Sequence, residues 1–200
     1  MVLAVAWEPA RGTDGDGESP TLQEVYASLD IPGHRVELLE GRIVVSPAPI
    51  RLHNRIVTWL TLALAELAGD RSWDLLARGV VELPATDERV EPDLLVSRVD
   101  ESSDGEWTIP AAQVRLAVEV VSPFSRRDDY EVKTPSFARS GIPLYLMIDP
   151  REALVTLLSA PSPKGYLRAE SVPFGGKVEL PEPFAIVLDT ATMPGLPRDV

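Results

Sequence analysis

The sequence has no cysteine. That excludes disulfides, thiolate zinc sites and cysteine nucleophiles. It has no apolar run of the roughly 20 residues needed to cross a bilayer. Its first residues lack the Lys/Arg-flanked apolar run of a signal peptide, so a cytoplasmic protein without membrane attachment is the expectation. Positive charge is scarce: 19 Lys and Arg stand against 31 Asp and Glu, a net charge of −12. Strong nonspecific nucleic-acid binding rests on phosphate neutralisation, so a broad basic surface is excluded, though a local basic groove is not. The same acidity suits a hard divalent cation, which wants carboxylates. There is no internal repeat. Ser122 has no G-x-S-x-G context and is not read as a nucleophile. What is present, 200 residues of which 44% are apolar, fits a single core.

Residues 1–20 are Gly- and acid-rich and are expected to form a flexible arm, with an apolar start at residues 2–7 that could dock as a strand or on a partner. Residues 21–190 are expected to form one domain, and 191–200 a tail. Thr21 with Glu24 makes a capping box for a short helix carrying Leu22, Val25, Tyr26 and Leu29 on one face. Glu40-Gly41 predicts a tight hairpin between strands at 35–39 and 42–46. The stripe Leu52, Ile56, Trp59, Leu60, Ala63, Leu64 and Leu67 predicts a helix over 50–68, stopped at Gly69. A strand pair is expected at 73–76 and 80–83, then strands at 90–96 and 114–121 joined by a long loop. Residues 126–140 read as helical, but Pro135 predicts a start near Thr134 or a kink there. Residues 144–148 read as a central strand, followed by a meander over 154–180 and a final apolar segment at 184–188. Strands alternating with helices predict an α/β fold: a mixed central sheet with flanking helices and an antiparallel extension.

Two apolar strands each carry a carboxylate where burial is costly. Asp93 follows Glu91-Pro92, and Glu119 lies inside Val118-Glu119-Val120-Val121. A buried carboxylate needs a positive partner or a metal. If the strands are neighbours, both acids reach one end of the sheet, and a divalent ion would relieve their repulsion. Oxygen donors fit Mg²⁺ or Mn²⁺ better than Zn²⁺, and the Val120 carbonyl could be a further ligand. The residues alone equally allow Asp93 as a turn residue and Glu119 as the partner of an arginine.

Several segments, in order, resemble one family. They are Val36-Glu37-Leu38-Leu39-Glu40-Gly41-Arg42, His53 in the following helix, Pro92-Asp93-Leu94, Glu119-Val120-Val121-Ser122-Pro123, Lys133, Ser140-Gly141-Ile142-Pro143 and Ile148-Asp149-Pro150. The pattern resembles the PD-(D/E)xK nucleases and, more closely, the Uma2 (DUF820) family, over about residues 21–160. The resemblance implies a three-layer restriction-endonuclease-like fold. It implies a Mg²⁺ or Mn²⁺ site built from Asp93, Glu119 and Val120, with Glu37 contributing from the hairpin. Val121 stands where the wider pattern has lysine, so Lys133 would supply the ammonium from the next helix. Leu144, where the family usually has an acid, and Pro135 depart from the pattern. The implied activity is metal-dependent hydrolysis of phosphodiesters in nucleic acid, DNA first, by a homodimer. A noncatalytic module of the same fold, binding a protein or nucleic acid, is the other reading. Glu37 alternates with apolar neighbours, which by pattern alone makes it solvent-facing. His53, Arg126 and Arg127 are the candidate phosphate contacts.

Overall fold

The computed structural model describes residues 3–5, as backbone only, and 20–196. The first elements are β1 (Leu3–Val5), α1 (Leu22–Ser28), β2 (Arg35–Leu39) and β3 (Arg42–Ser46). The capping box at Thr21 and Glu24 forms as its residues dictate. Glu40 and Gly41 both take positive φ, 47° and 68°, closing the tight turn between β2 and β3. The docking of the arm's apolar start is settled for three residues: β1 pairs antiparallel with β3. The acidic, Gly-rich stretch expected to be flexible lies outside the described residues, as does the end of the expected tail.

Then come α2 (Arg51–Arg71), β4 (Trp73–Leu76), β5 (Val80–Leu83), β6 (Glu88–Val90), β7 (Leu94–Arg98), β8 (Thr108–Pro110) and β9 (Val114–Val120). The helix runs through Gly69 instead of stopping there; Ser72 takes the left-handed cap, φ 54°. The strands at 73–76 and 80–83 exist but do not pair with each other. The chain turns at Arg78-Gly79 and passes from one sheet to another. A Cβ at Gly79 would lie 2.8 Å from Ile109 Cδ1 and 3.0 Å from Leu95 Cδ1, so a side chain there would have to push those chain ends aside. The single strand expected at 90–96 is likewise two, because Pro92 has no N–H to give a ladder. Glu91-Pro92-Asp93 is a crossover between sheets. The expected long loop at 97–113 contains β8 and two 3₁₀ turns.

The chain ends with α3 (Thr134–Arg139), β10 (Leu144–Asp149), β11 (Leu154–Ser162), β12 (Gly165–Pro173), β13 (Lys177–Leu180) and β14 (Ile186–Asp189). One six-stranded sheet has the order β1-β3-β2-β6-β5-β8, and the other β12-β11-β10-β9-β7-β4; β13 and β14 form a separate pair. In the second, central sheet β9 and β10 are parallel and the other neighbours antiparallel.

Alternation along the central strands builds two cores. Leu94, Val96, Leu116, Val118, Leu144, Leu146 and Ile148 face Ile56, Leu60 and Leu64 of α2. Leu95, Ala117, Val121, Tyr145 and Met147 face the first sheet and Phe137 of α3. Both faces are covered, which is why these strands read as near-continuous apolar runs. Each fully buried aliphatic side chain contributes about 1.5–3 kcal/mol. The stretch assigned to a tail begins inside the first of these cores: Met193 is buried there, and Trp59 Nε1 donates to Thr192 Oγ1 at 3.1 Å. Among the described residues no helix is long and apolar enough to cross a membrane.

Candidate active site

Glu119 sits on the face of β9 that looks toward the first sheet, one step from Val118 and Val120 on the α2 face. In β2, Glu37 shares a face with Leu39, which packs into that same second core. The solvent-facing expectation for Glu37 therefore fails: it is 3% exposed, because its face of the hairpin is covered by the central sheet. Asp93 lies in the crossover, its N–H donating to the Val118 carbonyl at 3.0 Å. Three strands' worth of sequence thus brings three carboxylates between the two sheets.

Lys133 arrives from the helix. Residues 126–139 are helical, but Asp128–Lys133 are wound as a π-helix before α3. Pro135 lacks an N–H, and its ring would clash with the carbonyl four residues back. The wider turn absorbs that conflict, in place of the fresh start or kink expected. Within it the Asp129 carbonyl accepts from Thr134 Oγ1 and Tyr145 OH, both at 3.1 Å. Lys133 is 1% exposed, and its Nζ lies 2.7 Å from Glu119 Oε1, 3.0 Å from Glu37 Oε1 and 3.3 Å from Asp129 Oδ1. Glu37 Oε1 also accepts the Glu91 N–H at 3.0 Å, which ties β2 to the crossover.

Asp93 has other partners. Its Oδ2 accepts the Val120 N–H at 2.8 Å. Its Oδ1 is paired with Arg35 and lies 3.1 Å from His53 Nε2, at the start of α2. Arg35 Nη1 is also 3.6 Å from Glu119 Oε2. The structure therefore gathers Glu37, His53, Asp93, Glu119, Val120 and Lys133, and adds Arg35 and Asp129, which sequence reasoning missed. A signal existed for each. Arg35 is two residues before Glu37 and so shares its strand face, and Asp129 is four before Lys133 on one helix.

Arg126 and Arg127 stand apart from this cluster. Arg126 pairs with buried Asp149 and with Glu152, its guanidinium 5.0 Å from the Tyr130 ring centre. Arg127 lies 3.1 Å from Glu40 and 3.2 Å from Asp128, and Arg42 lies 2.9 Å from Asp128. These pairs brace the hairpin tip against the π turn. Leu144, at the position departing from the family pattern, is a core residue.

The electrostatics follow from crowding. Glu37, Asp93, Glu119 and Asp129 are buried around two fixed cations, Lys133 and Arg35. Burial pushes the Asp93 carboxyl up, but the Arg35 charge and then the His53 contact overcome it and hold it well below the usual range. Burial dominates at Glu119 and, with Asp93 and Asp129 nearby, pushes it well up against the pull of Lys133. Asp129 is pushed up to about 6 by burial, despite Lys133 and Ser125. Burial alone would lower Lys133, yet Glu119, Glu37 and Asp129 hold it well above its ordinary value, as a permanent ammonium. The cluster sets four carboxylates against two fixed cations, and burial keeps protons on Glu119 and Asp129 to higher pH.

A hard divalent ion fits this donor set chemically. Of the oxygens of Asp93 and Glu119, those not already serving Lys133 or the Val120 amide are Asp93 Oδ1 and Glu119 Oε2. Among the described residues no three acidic or histidine groups converge as placed; the Arg35 guanidinium lies between those two oxygens instead.

A family model described as "Uma2: Putative restriction endonuclease" matches residues 22–192. Among solved structures, one from Anabaena variabilis ATCC 29413, titled as a "putative nuclease belonging to DUF820", is similar with a TM-score of 0.70. Identity is 19%, covering 87% of this chain and 97% of that one, so the likeness is one of fold. No curated protein matches the chain.

Proposed function

We propose that this chain, which belongs to the Uma2 family, is a metal-dependent nuclease that hydrolyses phosphodiester bonds in nucleic acid, DNA first. The observation that supports this most is the buried excess of carboxylate beside a buried ammonium, between the two sheets. Asp93 and Glu119 would hold Mg²⁺ or Mn²⁺, with the Val120 carbonyl as a further ligand. When bound, such an ion lowers the pKa of its water and polarises a phosphoryl oxygen.

The chain's own residues do the rest. Lys133 keeps its protons and so is not a general base; its charge stabilises the negative charge that builds on the phosphoryl oxygens and orients the attacking water. Glu37, anchored by the Glu91 amide, holds Lys133 in place. His53 and Arg35, with side chains 14% and 16% exposed, line the way in and can meet the phosphate. A homodimer is part of this proposal, and sedimentation velocity tests it.

The central test is cleavage of supercoiled plasmid and single-stranded DNA with Mg²⁺ or Mn²⁺ by wild type, Asp93→Asn and Lys133→Met. Metal-dependent cleavage lost in both folded variants supports the reading. Cleavage unchanged in Asp93→Asn sinks it.

A second reading is favoured by one observation. The candidate phosphate contacts Arg126 and Arg127 are both engaged by carboxylates on a chain of net charge −12. On that reading the fold is a noncatalytic module for a protein partner, and no cleavage and no Mn²⁺ binding would be seen.

A further inference from the structure

The oxygens of Asp93 and Glu119 that neither Lys133 nor the Val120 amide engages are the two that Arg35 touches. Asp93 has Oδ2 on the Val120 amide, and Oδ1 on Arg35 and 3.1 Å from His53 Nε2. Glu119 has Oε1 on Lys133 and Oε2 near Arg35. One guanidinium therefore neutralises the same pair of acids that a divalent ion would bridge. The two cations need the same place, and the acids cannot hold both in that geometry. Arg35 also has somewhere to go. It is the first residue of β2, follows exposed His34, and its side chain is partly exposed, whereas Lys133 is enclosed.

We propose that Arg35 is a built-in competitor for the metal: it occupies the place between Asp93 and Glu119 and must swing out before a divalent cation can enter. This rests on the metal-site reading above. It deepens that reading by making the site's affinity depend on the fraction of molecules in which Arg35 has left. Apparent affinity falls in proportion to that fraction, so removing the competitor raises it.

The test is calorimetric titration of Mn²⁺ into the full chain, wild type beside Arg35→Met, whose side chain keeps length without charge. The expected result is binding about tenfold tighter or more in the variant. Folding of the variant is checked by circular dichroism. A second measurement uses the wild type alone. Phenylglyoxal modification of Arg35, read by peptide mass spectrometry, should rise on adding Mn²⁺.

Equal or weaker Mn²⁺ binding by folded Arg35→Met overturns the proposal while leaving the metal site standing. If the variant does not fold, Arg35 modification that is unchanged or reduced by Mn²⁺ overturns it. Binding by the variant and not by wild type upholds it in its strongest form. Failure of both proteins to bind Mn²⁺ overturns the metal reading itself, and this proposal with it.

Discussion

The two faces of the central sheet are built by the same strands and solve opposite problems. Toward α2, Leu116, Val118 and Val120 present hydrocarbon to hydrocarbon, and nothing but packing is required. On the other face, Glu119 comes from the same β9 and meets Glu37, Asp129, Lys133 and Arg35. Burying those ions costs several kcal/mol apiece before their attraction returns any of it. A sheet that only needed to fold would make both faces like the first. The second is tolerated because the first, with the β13–β14 pair closing over it, anchors the strands without help from any charge.

The comparison breaks most visibly if the charged face loses its ammonium. Lys133→Met leaves three acids without their shared cation and should cost about 3–5 kcal/mol at pH 7 in urea unfolding. Adding Glu119→Gln to that variant should recover part of the loss, since removing both partners is far milder than removing one. Cost unchanged in the double variant would mean that packing, not charge, accounts for it. On the apolar face, Leu116→Ala should cost about 2–5 kcal/mol, and that cost should not vary with pH.

The pH dependence sharpens the contrast. Asp129 titrates near 6 in the fold against an ordinary 3.8, so the folded state binds a proton the unfolded chain does not. Its contribution to stability is therefore full below pH 3.8 and is lost as pH rises through about 6. Stability should fall between pH 4 and 6 by an amount on the order of 2 kcal/mol. Asp129→Asn should remove that share of the slope and leave the share of Glu119, which burial also pushes up; a slope unchanged by the substitution would place the titration elsewhere. The smallest effect belongs to the surface brace. Arg127→Ala removes contacts to Glu40 and Asp128 and should shift the urea midpoint least of these variants, and less still at high salt.

Much of this was legible in the residues. The Thr21 capping box, the Glu40-Gly41 turn and the stripe of α2 are local, and local chemistry specifies them. Glu119 announced itself because charge among valines needs a reason, and Asp93 because it heads an apolar strand; Lys133 was reached through the family resemblance. What could not be read was long-range. The segments 73–76 and 80–83 looked like partners because they are adjacent; whether they pair depends on strands far away in sequence. Residues 90–96 read as one strand because Val90 and Leu94-Leu95-Val96 flank Glu91-Pro92-Asp93 closely, though the backbone there changes sheets. Glu37 obeyed the alternation of an exposed face, and only the covering sheet makes that face interior. Arg35 carried one local mark, its place on the strand face of Glu37, but its meaning lies in two acids more than fifty residues away.

The π turn before α3 has a consequence for how this fold can vary. Such a turn is an α-helix holding one extra residue. Deleting any single residue from 126–132 would let the helix return to regular winding. Each residue of an α-helix advances the side-chain direction by roughly 100° and each residue of the wider turn by less, so the shortened, regular helix passes through nearly the same total rotation and Lys133 keeps its place beside α3. What changes is the turn itself, where the Asp129 carbonyl now accepts from the Thr134 and Tyr145 hydroxyls. In relatives of this protein, a one-position gap in an alignment across this helix is therefore compatible with an intact lysine in the site.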